Sequence, residues 1–266
     1  MGIFDSMKDN MERRQRTREY IKAAKEYIKD GEELYANAYE KVMRRAEKTN
    51  RVIEKHIDYK KKVAKTLGED ILPVINNVHI PNIAVDIDPP FIDGKKAGLT
   101  DFSVSFANCV SMNPVPIPSI MDIFVSEEDY WEARNQRDEA KAFKQQMKYE
   151  RECLYAYRDK MSVIEGLIGE ERQQIDDLLD KLDKITNKMK SFKSTNEEIE
   201  YVRAMKKISE GICKLLTADF LKENLDISAD YKNILEGIEQ INCAIPNANS
   251  ISESQIKEIA MMKTGW

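Results

Sequence analysis

The sequence predicts a mainly α fold: a long antiparallel helical hairpin of two ~64-residue helices, shorter C-terminal helices in a bundle beside it, and a small Pro-rich β/loop insert at one tip. The first ground for this is that residues 4–67 and 127–190 contain no proline. The second is composition: charged residues make up 33% of the 266-residue chain while Gly (10) and Pro (8) are scarce, which favours long solvated helices over a compact sheet. The third is that seven of the eight prolines, Pro73, Pro81, Pro89, Pro90, Pro114, Pro116 and Pro118, fall between residues 69 and 126.

The first helix is expected from about Phe4 to Leu67. Ile21, Ile28, Tyr35, Val42, Ala46, Ile53, Ile57, Val63 and Leu67 recur at spacings that place them on one stripe. At 1.5 Å per residue such a helix is about 95 Å long. Lys60, Lys61, Lys62 and Lys65 complement the C-terminal dipole, Gly68 marks the stop, and Pro73 opposes resumption nearby.

Ser126-Glu127-Glu128-Asp129 announces the second long helix, a serine N-cap followed by first-turn carboxylates. Its stripe runs through Trp131, Phe143, Met147, Leu154, Met161, Ile168, Ile175, Leu182 and Met189. The two stretches are equally long, which suggests two arms of one hairpin. Gly166 and Gly169 interrupt the second arm and leave two readings open, a kink or tight packing against a third helix.

Three shorter helices follow. One runs from Glu197 to about Leu225 with a stripe at Ile199, Val202, Met205, Ile208, Ile212 and Leu215. The next carries Tyr231, Ile234, Ile238 and Ile241 before Pro246, and the last opens on the capping pattern Ser252-Glu253-Ser254-Gln255. The chain thus divides into residues 1–68 with 127–266 as the helical bundle, and 69–126 as a mixed insert or head. In the insert, period-two alternation at Val78, Ile80, Ile83, Val85, Ile87 and again at Phe102, Val104, Phe106 predicts a small β element.

The formal net charge of −5 is unevenly spread: residues 1–68 carry +6, against −5 for 69–126, −3 for 127–192 and −3 for 193–266. The basic arm is expected to pack against the acidic one. Nucleic acid is not an expected partner, because no basic domain with interleaved aromatics is present. Cys109, Cys153, Cys213 and Cys243 form no CxxC pair, so free thiols in a reducing compartment are expected. The sequence contains no N-terminal signal region, no apolar run of membrane-spanning length and no glycosylation sequon, so a cytoplasmic location, or export without a cleaved signal, is expected.

Catalytic motifs are missing. His56 and His79 have no carboxylate or cysteine at metal-ligand spacing, and Gly94-Lys95-Lys96-Ala97-Gly98 does not match a phosphate loop. Asp86 and Asp88 lack a third carboxylate at EF-hand spacing. The sequence therefore predicts no enzyme, no cofactor, no metal and no small-molecule substrate.

The N-terminus suggests a contact surface. Ile3, Phe4, Met7 and Met11 form an apolar patch followed by Arg13, Arg14, Arg16 and Arg18, an order suited to a helix start lying on an anionic membrane. Met1-Gly2 with Ser6 also fits the N-myristoylation pattern. The opening Met1-Gly2-Ile3-Phe4 is similar to that of bacterial phage-shock membrane-remodelling proteins, which implies long helical hairpins at a membrane surface; the β-like insert departs from that family's plain helices. Long helices with an apolar, partly β element at one tip also look like the α-helical pore-forming toxins, which implies that the tip, with Phe102, Val104 and Phe106, enters a membrane. The stretch 112–125 is too short, and too broken by proline, to span as a helix.

The functional expectation is a non-enzymatic structural or interaction protein, an elongated helical scaffold that self-associates and uses the insert, through Phe102, Val104 and Phe106, as a partner-binding head. The alternative is a membrane-active helical protein, surface-bound through the N-terminus or pore-forming through the insert.

Overall fold

The computed structural model describes residues 3–76, 125–189, 195–218, 227–245 and 251–263, with backbone alone at 3–7, 76 and 195–198. The described elements are α1 (Ile3–Thr66), a π-helical turn (Leu67–Ile71), α2 (Leu72–Asn76), α3 (Glu127–Met189), α4 (Thr195–Thr217), α5 (Ala229–Ala244) and α6 (Glu253–Met261). The fold is mainly α, with two long helices packed on each other and shorter helices following, and the described residues contain no strand. The expected β insert and its Phe102, Val104 and Phe106 lie outside the described residues.

Both long helices fall within a residue of their expected bounds, because amphipathic periodicity and the caps agree. At Ser126 the hydroxyl accepts from Asp129 N at 3.0 Å, and Asp129 Oδ2 accepts from Ser126 N at 3.0 Å. This is a capping box with aspartate in the reciprocating position. Ser126, through its side chain and then its backbone, draws the Asp129 carboxyl below its ordinary range. Ser252 and Gln255 close a complete capping box at the start of α6, as their spacing predicts.

The helical path does not stop at Gly68. The chain widens into the π turn, Leu72 N bonds to Leu67 O, and α2 resumes with Pro73 in its first turn. Proline has no N–H to lose in a first turn, and the wider π turn relieves the clash of its ring with a preceding carbonyl. Leu67, Leu72 and Ile75 are thereby buried.

Contacts divide the chain into two units, one taking residues up to 47 with α3 as far as 161, the other taking residues from 48 and from 162 onward. In the first unit, Tyr20 meets Tyr130, their rings 5.6 Å apart, and Lys144 Nζ bonds Asp30 Oδ2 at 2.6 Å. In the second, Thr49 bonds Glu165 at 2.8 Å and Tyr59 bonds Asp176 at 2.7 Å. Residue numbers rise together on both helices within each unit, so α1 and α3 run parallel and the antiparallel expectation is corrected. Equal arm lengths fit either direction, because an apolar stripe has the same helical period whichever way its partner runs.

On the α1 side, the seam of the first unit is built from small side chains. Ala24, Gly31 and Ala38 recur every seventh residue on α1, facing α3, where Ala133, Ala140, Met147, Leu154 and Met161 repeat at the same interval, and all are buried. A β-carbon on Gly31 would stand 2.8 Å from Phe143 Cε1, so glycine sets how closely the helices approach. Gly166 and Gly169 differ: no atom lies within 4 Å of the corresponding positions, and α3 continues through both. Close packing against a third helix therefore does not explain them among the described residues.

The second unit has a wider, aliphatic core. Ile168, Ile175, Leu178, Leu182 and Ile185 of α3 are fully buried together with Ile208, Ile212 and Leu215 of α4, Ile238 and Ile241 of α5, and Ile256 and Ile259 of α6. At about 25 cal/mol per Å² of apolar surface removed from water, burial of this stripe is the main stabilising term there.

Candidate functional site

Within that aliphatic core lies one dense polar cluster, centred on Glu171 of α3, whose side chain is wholly buried. His56 Nε2 lies 2.9 Å from Glu171 Oε2, and Tyr231 of α5 donates its hydroxyl to the same oxygen at 3.0 Å. Lys60 Nζ lies 2.8 Å from Glu171 Oε1. It is off the direction a hydrogen bond needs, leaving Oε1 without an aligned donor. Lys60 instead donates to Leu215 O at 2.9 Å, capping a last-turn carbonyl of α4. One carboxylate thus ties α1 and α3 to α5, and its lysine partner adds α4.

Arg172 completes the cluster from the outside. Its Nε donates to His56 Nδ1 at 3.2 Å, its guanidinium sits 5.2 Å from the Tyr59 ring centre, and Tyr59 stacks on His56 with ring centres 6.1 Å apart. Because a guanidinium only donates, Nδ1 is an acceptor here and Nε2 carries the ring hydrogen toward Glu171.

The electrostatics follow from burial and partners. Burial pushes the Glu171 carboxyl up, but the His56 hydrogen bond and the Lys60 charge outweigh it and leave the carboxyl below its ordinary value. Burial, and then the adjacent Glu171 charge, pushes the Tyr231 phenol up, so it stays a donor. Burial and the Asp176 bond do the same to Tyr59.

Other polar ties in the second unit also join helices. Lys181 of α3 donates to Asn242 of α5, and burial draws its ammonium below its ordinary value. Lys188 donates to the carbonyl of Ile251, just before α6. Burial pushes the Cys213 thiol up to about 11. Among the described residues no three His, Cys, Asp or Glu side chains converge to hold a metal ion.

The sequence-predicted contact residues at the N-terminus are described only in part. The side chains of Ile3, Phe4 and Met7 lie outside the described residues. Met11 is 69% exposed, and Arg16 and Arg18 are exposed, whereas Arg13 and Arg14 are half-buried, flanking buried Thr17, whose hydroxyl donates to Arg13 O at 2.8 Å. On α3, Trp131, expected in the apolar stripe, is instead 47% exposed with Arg134 5.2 Å from its ring centre, and Arg137 stands 4.4 Å from the Tyr20 ring.

The Glu171 cluster was missed for a definite reason. Its residues lie more than 100 positions apart on α1 and α3, and the individual residues match no motif. The available signal was the helical stripe itself: His56 and Lys60 continue the buried register of Thr49, Ile53 and Val63, where polar residues need partners. Among the described residues no helix is long and apolar enough to cross a membrane. No family model matches this chain, and neither does any curated protein or solved structure.

Proposed function

We propose that the chain is a non-enzymatic structural or interaction protein, a helical scaffold that self-associates, with residues 69–126 as its partner-binding head. The observation that carries this reading is the outer side of α3. Its inner stripe in the first unit is already filled, yet Trp131 remains 47% exposed and Tyr149 68% exposed, about five turns apart and so on one helix face. Large apolar side chains at that spacing offer a second helix a surface to cover. The Glu171 cluster fits the same reading, because its hydrogen bonds and ion pairs join helices.

Sedimentation velocity of the full chain over a concentration series tests self-association. An associating chain that becomes monomeric when Trp131 and Tyr149 are both changed to Glu supports the proposal. A chain that is monomeric at every concentration overturns the self-association reading.

The membrane-active reading has one observation in its favour, the exposure of Met11 beside Arg16 and Arg18. Co-sedimentation with anionic liposomes that disappears when residues 1–18 are deleted would select it. Absence of lipid binding removes it.

A further inference from the structure

We propose that His56 and Arg172 form a proton-operated switch at the joint of α1, α3 and α5, in which a proton on His56 expels the Arg172 guanidinium. Arg172 Nε points its hydrogen at His56 Nδ1 across 3.2 Å. A second ring proton must bind at that nitrogen, because Nε2 already holds the hydrogen directed at Glu171. Two donors would then face each other, and two cations would be in contact.

The charges around the ring decide which group leaves. From α1, Tyr59 and Lys60 face it; from α3, Glu171 and Arg172, with Asp176 reached through Tyr59. From α5, Tyr231 reaches it through Glu171, and α4 presents only the Leu215 carbonyl, through Lys60. The ring thus sits among one inner carboxylate, Glu171, and two cations. A proton on His56 strengthens its bond to Glu171 and repels Lys60 and Arg172. Lys60 is buried and tied to Glu171 and Leu215 O, while Arg172 is half-buried with a route to solvent. Arg172 Nη2 is also buried without a hydrogen bond, so leaving gives that donor water and breaks only the Nε bond and the contact with the Tyr59 ring.

The test is the Arg172 Nε–H signal in side-chain NMR of the full chain, assigned with Arg172→Lys. The signal is followed from pH 8 to 5, where histidine ordinarily titrates, with the His56 ring carbons read in parallel. The expected result is a protected Nε–H at pH 8 whose exchange rises by at least about tenfold as His56 takes up its proton, with the helical circular dichroism unchanged. In His56→Gln the exchange should not follow this transition. The proposal is overturned if the Arg172 signal keeps its protection once His56 is protonated, or if His56 takes no proton before the helical signal collapses.

Discussion

Changing Glu171 to Gln removes one charge from the core of the second unit while keeping an oxygen that can accept from Tyr231 and His56. Lys60, buried against it at 2.8 Å, is then left without its counter-charge. Removing one partner of a buried pair costs about 3–5 kcal/mol, because the surviving charge stays desolvated. That is a large share of the roughly 5–15 kcal/mol that stabilises a folded domain. Lys60→Met is expected to cost a comparable amount, since it strips Glu171 of its ion pair and leaves Leu215 O without its cap. In the double variant neither charge remains buried without its partner, so its loss should be smaller than the sum of the single losses by at least about 2 kcal/mol. Urea unfolding followed by circular dichroism measures all three. Additivity within about 0.5 kcal/mol would refute the claim that the two side chains act as one buried pair.

Further outcomes follow from the same geometry. Gly166→Ala and Gly169→Ala meet open space and should each stabilise by up to about 1 kcal/mol in thermal unfolding, whereas Gly31→Ala should destabilise by up to about 2 kcal/mol, the overpacking against Phe143 exceeding the gain in helix propensity. The Glu171 carboxyl lies below its ordinary value, so its stabilisation is present above pH 4.5 and is lost as pH falls through the lower folded value; an acid titration should show that loss in the wild type and a smaller one in Glu171→Gln. Ser252→Ala removes the capping box and should cost about 1 kcal/mol, seen as faster amide exchange in α6. Thiol alkylation near pH 8 should modify exposed Cys243 well before Cys213, whose thiol is held up to about 11.

Much of the fold was legible in local signals. The heptad stripes, the Ser126 and Ser252 caps and the absence of proline over two long stretches act within a few residues, so helix type and the bounds of the two long helices could be read directly, whereas α4 ends at Thr217, short of the expected Leu225. Gly68 and Pro73 misled, because a stop signal describes an α-helix and the chain escaped through a π turn. The direction of α1 relative to α3 was not legible, since a helical stripe has the same period whichever way its partner runs.

The candidate site shows the same boundary. His56 and Lys60 could be placed on the buried side of α1 by spacing alone, and burial alone demanded partners for them. Which partners they took depended on the register between helices whose contacting residues stand more than 100 positions apart. The sequence by itself determined helix type, length, caps and which side of each helix is apolar, because those arise from interactions within one or two turns. Only the tertiary structure decided direction, the close approach at Gly31 and the gathering of Glu171, His56, Lys60, Arg172 and Tyr231, because these depend on contacts between segments that local propensity does not couple.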